Sequence, residues 1–281
     1  MKHIIVSAAA ITLFGVASFA AAQPNAKAIN TKRAQTTCSC GYCDLSGTNF
    51  SGFAPGSTSP QRNPYSALLG KGDAWLSCNF TGANFSGSNL TNSDLTISIR
   101  GWQTPLRAAN FNNGDFSQAN LSGSTLIGAN FADSNFTQAN LSNAVLTLAN
   151  FNHANFAQAN LYQAQAALDA MHGWGADMAK VNFKGANLVA AKLAANFAKA
   201  DFSNANLSNS QLDNTLATIN AIQPTSEANA WAGVNFTGAN LKGAQLLTQG
   251  KAADLSKATL CNTVMPDGKP NNRDCSALKS N

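Results

Sequence analysis

The chain has 281 residues and a formal net charge of +5, with 11% charged and 44% hydrophobic residues. The charge content is far below the globular average of about 25%. This excludes a long solvated disordered chain and leaves enough apolar material for a core. The cationic surplus forms no run, so composition gives no reason to expect a nucleic-acid partner.

In chain order, residues 1–22 come first and are expected to be an export signal. Lys2 and His3 make a short basic start, residues 4–19 are apolar and uncharged, and Ala20 and Ala22 give the small-x-small cleavage pattern. The apolar run is short for a bilayer span of about 20 residues, and no basic stop-transfer flank follows. The expectation is a secreted or periplasmic protein with no stable membrane insertion after cleavage. Residues 23–77 form a cysteine-containing segment with Cys38, Cys40 and Cys43, an isolated apolar pair in Leu45 and Phe50, and a loop over 51–74 rich in Gly, Pro and Ser. Cys78 follows. Six cysteines behind a signal suggest disulfides, because the compartment is oxidising.

From Phe111 to Leu161 an apolar residue recurs at every fifth position: Phe111, Phe116, Leu121, Leu126, Phe131 and onward. Two positions before each stands a small residue, such as Gly114, Ala119, Ser124 or Ala129, and Asn or Asp mostly stands between them. Shorter blocks with this pattern run over 80–95, 183–193, 197–212 and 236–260. A helix needs apolar spacings of three and four, and a strand needs two. Five fits neither. It does fit a square coil, in which a short extended side points its large and small residues inward and polar residues turn the corner. After four corners the chain passes one strand spacing above itself, about 4.8 Å. Stability then comes from stacking neighbouring coils.

Runs such as Ala119-Asn120-Leu121-Ser122-Gly123 resemble the pentapeptide repeat family, whose consensus is A-(N/D)-(L/F)-x-x. The resemblance spans about residues 78–260 and implies an all-β fold: a right-handed quadrilateral β-helix, here with loop insertions and disulfide-stapled ends. Insertions are expected near 96–108, 162–180 and 213–230, with a further slip between Leu193 and Phe197. Residues 261–281 resemble the closing cap of exported members of the family, with Cys261 paired to Cys275. The pairing of Cys38, Cys40, Cys43 and Cys78 stays open, and the CxxC among them leaves a zinc site as an alternative.

The tryptophans Trp75, Trp102, Trp174 and Trp231 all stand in the breaks, just before a block resumes. They serve either as covers over an open coil or, for Trp102, Trp174 and Trp231, as candidate contacts for a partner. His153 falls two positions after Phe151 and is expected to point outward. No catalytic, metal or cofactor motif is visible. The expectation is therefore an exported non-catalytic structural or binding protein, whose partner is a protein or an envelope glycan rather than a nucleic acid. A homodimer is left open. Two alternatives remain. One is the DNA mimicry toward gyrase that the family resemblance brings, which would need a strongly acidic face. The other is an enzyme site in the 162–180 loop built from His172, Trp174 and Asp177.

Overall fold

The computed structural model describes residues 27, 30–31, 40–50, 80, 82–91, 93, 110–168, 174–215 and 231–279. The expected signal at 1–22, Cys38, Cys78, Trp75, Trp102 and His172 lie outside the described residues.

The unit around Phe136 shows how five residues make one side of the coil. Ser134 and Phe136 point inward and Asn135 points outward. The Phe136 N–H donates to the Asn155 carbonyl of the next coil at 2.7 Å, and the Asn135 N–H donates to the Gly114 carbonyl of the previous one at 2.9 Å. The chain then turns: Ala139 N–H bonds back to the Phe136 carbonyl at 2.9 Å, with Gln138 at φ +60. This is a type II turn, which needs a left-handed residue at its third position. Gly123, Gly128, Asn113 and Asn143 supply it at other corners, as do Gln118, Gln158 and Gln163.

Repetition stacks these sides into four faces of a right-handed, four-sided β-helix. The first face runs through Phe80, Phe111, Phe131, Phe151, Met178, Phe197 and Trp231. The second runs through Leu45, Phe85, Phe116, Phe136, Phe156, Phe183, Phe202, Phe236 and Leu260, and the third through Phe50, Leu90, Leu121, Leu141, Leu161, Leu188, Leu207, Leu241 and Met265. The fourth holds Leu126, Leu146, Ala166, Leu193, Leu212 and Leu246. One half of the bore is therefore lined by aromatic rings and the other mostly by leucine. Within a file the rings lie nearly parallel, as in Phe111–Phe131 at 4.9 Å and 9°. Between the two aromatic files they meet edge to face, as in Phe151–Phe156 at 5.2 Å and 73°. Each buried ring contributes about 1.5–3 kcal/mol by leaving water, and each ring pair about 0.5–1.5 kcal/mol more.

The outward Asn residues form ladders of their own. Asn130 donates to Asn110, Asn150 to Asn130, Asn140 to Asn120 and Asn160 to Asn140, at 2.9–3.1 Å. Each Oδ1 also accepts the N–H two residues on, as Asn130 does from Ala132 at 3.2 Å. One side chain thus fixes its own corner and ties two coils together, which explains why this position is Asn or Asp on three faces.

On the fourth face the pairing lengthens into strands β1 (Gln165–Ala166), β3 (Lys192–Asn196), β4 (Gln211–Asn214) and β5 (Gln245–Thr248), all parallel. Strand β2 (Ala176–Asp177) pairs with the end of β3. This corrects the expected interruption at 162–180. The coil continues through Ala166 and is on the first face again at Ala176-Asp177-Met178. Ala166 and Met178 stand where Leu or Phe was expected, and the pattern was hidden for that reason. The slip between Leu193 and Phe197 is a corner that β3 straightens into a continuous strand. Phe197 N–H there bonds to the side-chain oxygen of the buried Asn214 at 3.2 Å.

At the first coil Cys43 N–H bonds to the Cys40 carbonyl at 3.2 Å, the same corner bond that the repeats use. Cys40 therefore takes the inward large position of one side and Cys43 the small position of the next, Cys43-Asp44-Leu45, and Asp44 pairs with Asn84. Their disulfide, with Cα atoms 5.4 Å apart, lies inside the bore. Residues 40–50 thus belong to the β-helix, which begins before the expected residue 78. A bonded pair has no thiolate to offer zinc.

At the far end the solenoid runs into the expected cap, since Val264 pairs with Asn240. Strand β6 (Lys251–Ala252) lies antiparallel on β5 and covers the edge of the fourth face. Strand β8 (Pro270–Asn271) does the same for β7 (Thr263–Val264) on the third. On the other two sides side chains replace a strand. Arg273 donates from Nη1 to the Leu255 carbonyl at 3.1 Å and from Nη2 to the Ala258 carbonyl. Asp274 accepts the Leu260 N–H at 2.8 Å and returns its own N–H to the Leu260 carbonyl at 2.9 Å. The Cys261–Cys275 disulfide holds this assembly. Closing so short a loop is worth about 3 kcal/mol in the chain-entropy picture. An open sheet edge invites pairing with another chain, and all four edges at this end are occupied.

Candidate binding surface

The four corners are not used alike. The coils at Leu126–Phe131 and Leu146–Phe151 turn from the fourth face to the first in the regular five residues. Every other described passage across that corner breaks the register. The chain leaves the fourth face after Ser93, whose carbonyl accepts Thr125 N–H, and is next described at Asn110 on the first. Between Ala166 on the fourth face and Ala176 on the first there are nine residues, after Thr215 the chain is next described at Trp231 on the first face, and the β5–β6 hairpin stands before Leu255. The short corner at β3 is on the same edge. The excursions therefore issue from one long edge of the prism.

The edge is partly covered. Leu148, in the left-handed corner position at φ +58, is only 5% exposed, whereas the other non-glycine corner side chains at 113–163 are solvent-facing. At the return to the coil before Ala176, Gly175 fits where no side chain can. A Cβ there would meet the Ala194 carbonyl oxygen at 2.6 Å and the Thr215 methyl. Asp213 on β4 holds the β5–β6 turn, accepting the Gly250 N–H at 3.0 Å. Leu168, at the outgoing base of the 167–175 excursion, is 42% exposed.

The candidate residues are distributed as follows. Trp174 is half-buried in the returning limb of that excursion. Trp231 is 1% exposed, with its ring stacked on Phe197 at 5.9 Å and its Nε1–H donated to Thr248 Oγ1 at 3.0 Å. It fills an inward position of the first face and has no ring surface to offer a partner, which corrects its place among the candidate contacts. Asp177 is buried. Its Oδ1 accepts Ala179 N–H at 3.2 Å and Asn196 Nδ2 at 3.4 Å, and its Oδ2 accepts Asn152 Nδ2 at 3.4 Å. It is a rung of the first-face asparagine ladder, so its carboxylate is engaged in structure. His153 points outward, with Nδ1 3.5 Å from Asp133.

A sequence signal for the edge existed. The large residues follow the order Phe, Phe, Leu, Leu with a period of one coil from 111 to 161. That order assigns each break to a face.

The profile of the pentapeptide repeats matches in eight copies, over residues 76–96, 106–138, 129–165 and 176–216. The chain belongs to the pentapeptide-repeat family. Among solved structures this pentapeptide-repeat chain is similar to a pentapeptide repeat protein of the Arabidopsis thaliana thylakoid lumen, with 30% identity, a TM-score of 0.32, and coverage of 43% of this chain and 66% of that one. It is also similar to HetL, involved in heterocyst differentiation regulation in the cyanobacterium Nostoc sp. strain PCC 7120, with 22% identity, a TM-score of 0.27, and coverage of 83% and 91%. Full-length QnrB1, a plasmid-mediated fluoroquinolone resistance protein, gives 18% identity, a TM-score of 0.27, and coverage of 84% and 98%. No curated protein matches the sequence.

Proposed function

We propose that this pentapeptide-repeat protein is exported and acts without catalysis, holding a macromolecular partner against the edge between its fourth and first faces. One observation carries the reading: among the described residues the breaks in register fall on that edge while the other three corners keep the five-residue step. In solenoids the insertions that collect on one side commonly form the binding face, and loops on a rigid scaffold are where recognition concentrates. Export is supported by the residue 1–22 pattern and by two disulfides, at Cys40–Cys43 and Cys261–Cys275, which persist in oxidising compartments. DNA mimicry is disfavoured, because the coils from Lys180 onward carry lysines rather than an acidic face.

The test is photo-cross-linking in the producing cell's envelope and secreted fractions. A cross-linking residue is placed at Leu168 on the loop edge or at Ser208 on the third face. One partner captured from Leu168 and not from Ser208 supports the proposal. Equal capture from both, or recovery of the uncleaved chain in the cytoplasm, overturns it.

A further inference from the structure

The corner after the first face carries, in successive coils, His153, Lys180, Lys199, Gly233 and Lys257. Backbone bonds fix their stacking: His153 N–H reaches the Ala179 carbonyl at 3.0 Å, Lys180 N–H the Ala198 carbonyl at 2.8 Å, and Gly233 N–H the Lys257 carbonyl at 3.2 Å. The stem of Lys199 lies over Gly233, where an added Cβ would meet its Cγ at 3.3 Å. His153 is tied to Asp133. Lys180 and Lys199 are exposed and form no ion pair with any described residue, and Lys257 offsets the charge of Asp254. The acids of the adjoining faces are engaged elsewhere. Asp177 sits in its ladder, and Asp201 accepts Ser203 N–H at 2.9 Å and Asn235 Nδ2 at 3.0 Å.

The fold does not need lysine here. The position asks only for a left-handed backbone, which Gly, Asn and Gln provide at other corners. Like charges stacked on neighbouring strands are destabilising, so this file is maintained against a cost. Between residues 108 and 179 there is no lysine or arginine at all, so the cations begin abruptly with Lys180. Beside the file, the small side chains Ala198 and Ala232 are half-buried on the first face, and Ala179 is buried. The rungs repeat at one strand spacing, about 4.8 Å, so Lys180 and Lys199 are neighbours and Gly233 separates Lys199 from Lys257 by two rungs.

We infer that this strip binds a linear acidic polysaccharide, whose carboxylates pair with the exposed lysines of the file. Single-stranded nucleic acid is the weaker fit, because it favours aromatic platforms between the cations and none lies on this corner among Lys180, Lys199 and Lys257. The inference rests on the reading of the protein as a binding module but not on the loop edge. Its failure would leave the Leu168 cross-link intact, and the reverse also holds.

The experiment titrates a labelled oligogalacturonate with the purified protein and follows anisotropy. It compares wild type, Lys180→Gln/Lys199→Gln, and a control with the same charge loss, Lys184→Gln/Lys242→Gln. Glutamine keeps the fold, since Gln118, Gln138 and Gln158 hold the same backbone conformation at φ 58–60. The corner pair should weaken binding about tenfold, the control should not, and salt should weaken wild-type binding. The inference is overturned if the two pairs weaken binding alike, if wild type does not bind, if neutral dextran competes equally, or if a single-stranded oligonucleotide binds more tightly.

Discussion

Phe136 and Phe156 stand one coil apart with ring centroids 4.6 Å apart and planes 5° from parallel. Both are fully buried, and Phe136 also packs on Phe116 at 4.9 Å and on Phe151 at 5.8 Å. Truncating it leaves a hole in the aromatic half of the bore that backbone-paired coils cannot collapse to fill. Phe136→Ala should cost about 3–5 kcal/mol, read as a lower urea midpoint. Gln138→Gly, at the corner two residues away, should cost nothing measurable. Equal losses would show that the rings do not carry the stability.

Gly175 tests the packing at the base of the 167–175 excursion. Ala at this position drives a methyl into the Ala194 carbonyl, which belongs to a paired strand and cannot yield. Gly175→Ala should destabilise by about 1–3 kcal/mol, seen in thermal unfolding, and should raise amide exchange along β3. No loss would mean that the excursion is not seated on the sheet.

Ala190 runs the other way. It holds φ +56 at a corner of the third face, a conformation that suits glycine better than alanine. Ala190→Gly should therefore stabilise by about 1 kcal/mol, although glycine usually weakens regular structure. A lower unfolding midpoint would contradict the turn assignment.

The cap should fail in acid before the coils do. The Arg273 side chain, and after it the Leu260 N–H, hold the Asp274 carboxyl below its usual range. A carboxylate with a depressed folded value stabilises the protein above the unfolded value, about 3.9. That contribution is lost as pH falls through the folded value. The urea midpoint of wild type should thus drop below about pH 4 relative to Asp274→Asn, which lacks this slope. Parallel pH profiles would dismiss the Arg273–Asp274 pair as an acid-sensitive element.

Removing Arg273 exposes the edge that it covers. Arg273→Ala leaves the Leu255 and Ala258 carbonyls without their charged donor and should cost about 1–2 kcal/mol. It should also open the end to pairing with another copy, visible as concentration-dependent larger species in size-exclusion chromatography. A strictly unchanged elution profile would assign edge protection to β6 and β8 alone.

Much of this architecture was legible in the residues. The five-residue period fixed which side chains enter the bore, and Trp231, expected as a candidate contact, proved to stand five residues before Phe236 in that period and is buried. What escaped was written in substitutions that keep shape while changing residue type. Met178 and Ala166 occupy large-residue positions without being Phe or Leu, so the coil seemed to stop early. Cys40 and Cys43 occupy inward positions as a bonded pair, so the opening coil looked like a separate segment. Asp177 looked like a free acid because nothing in a linear reading shows that Asn152 and Asn196 flank it from the coils on either side. The lysine file escaped for the same reason: Lys180 and Lys199 become neighbours only when the chain comes around again.

The single edge at which the coils hand over has a consequence for how such a protein can change. Lengthening a surface connection costs little closure entropy, and here it disturbs neither the asparagine ladders nor, among the described residues, the three corners that keep strict time. New recognition elements can be spliced in at Ala166 or Thr215 while the prism beneath stays as it is. The molecule therefore separates the part that must stay constant to fold from the part that is free to diversify.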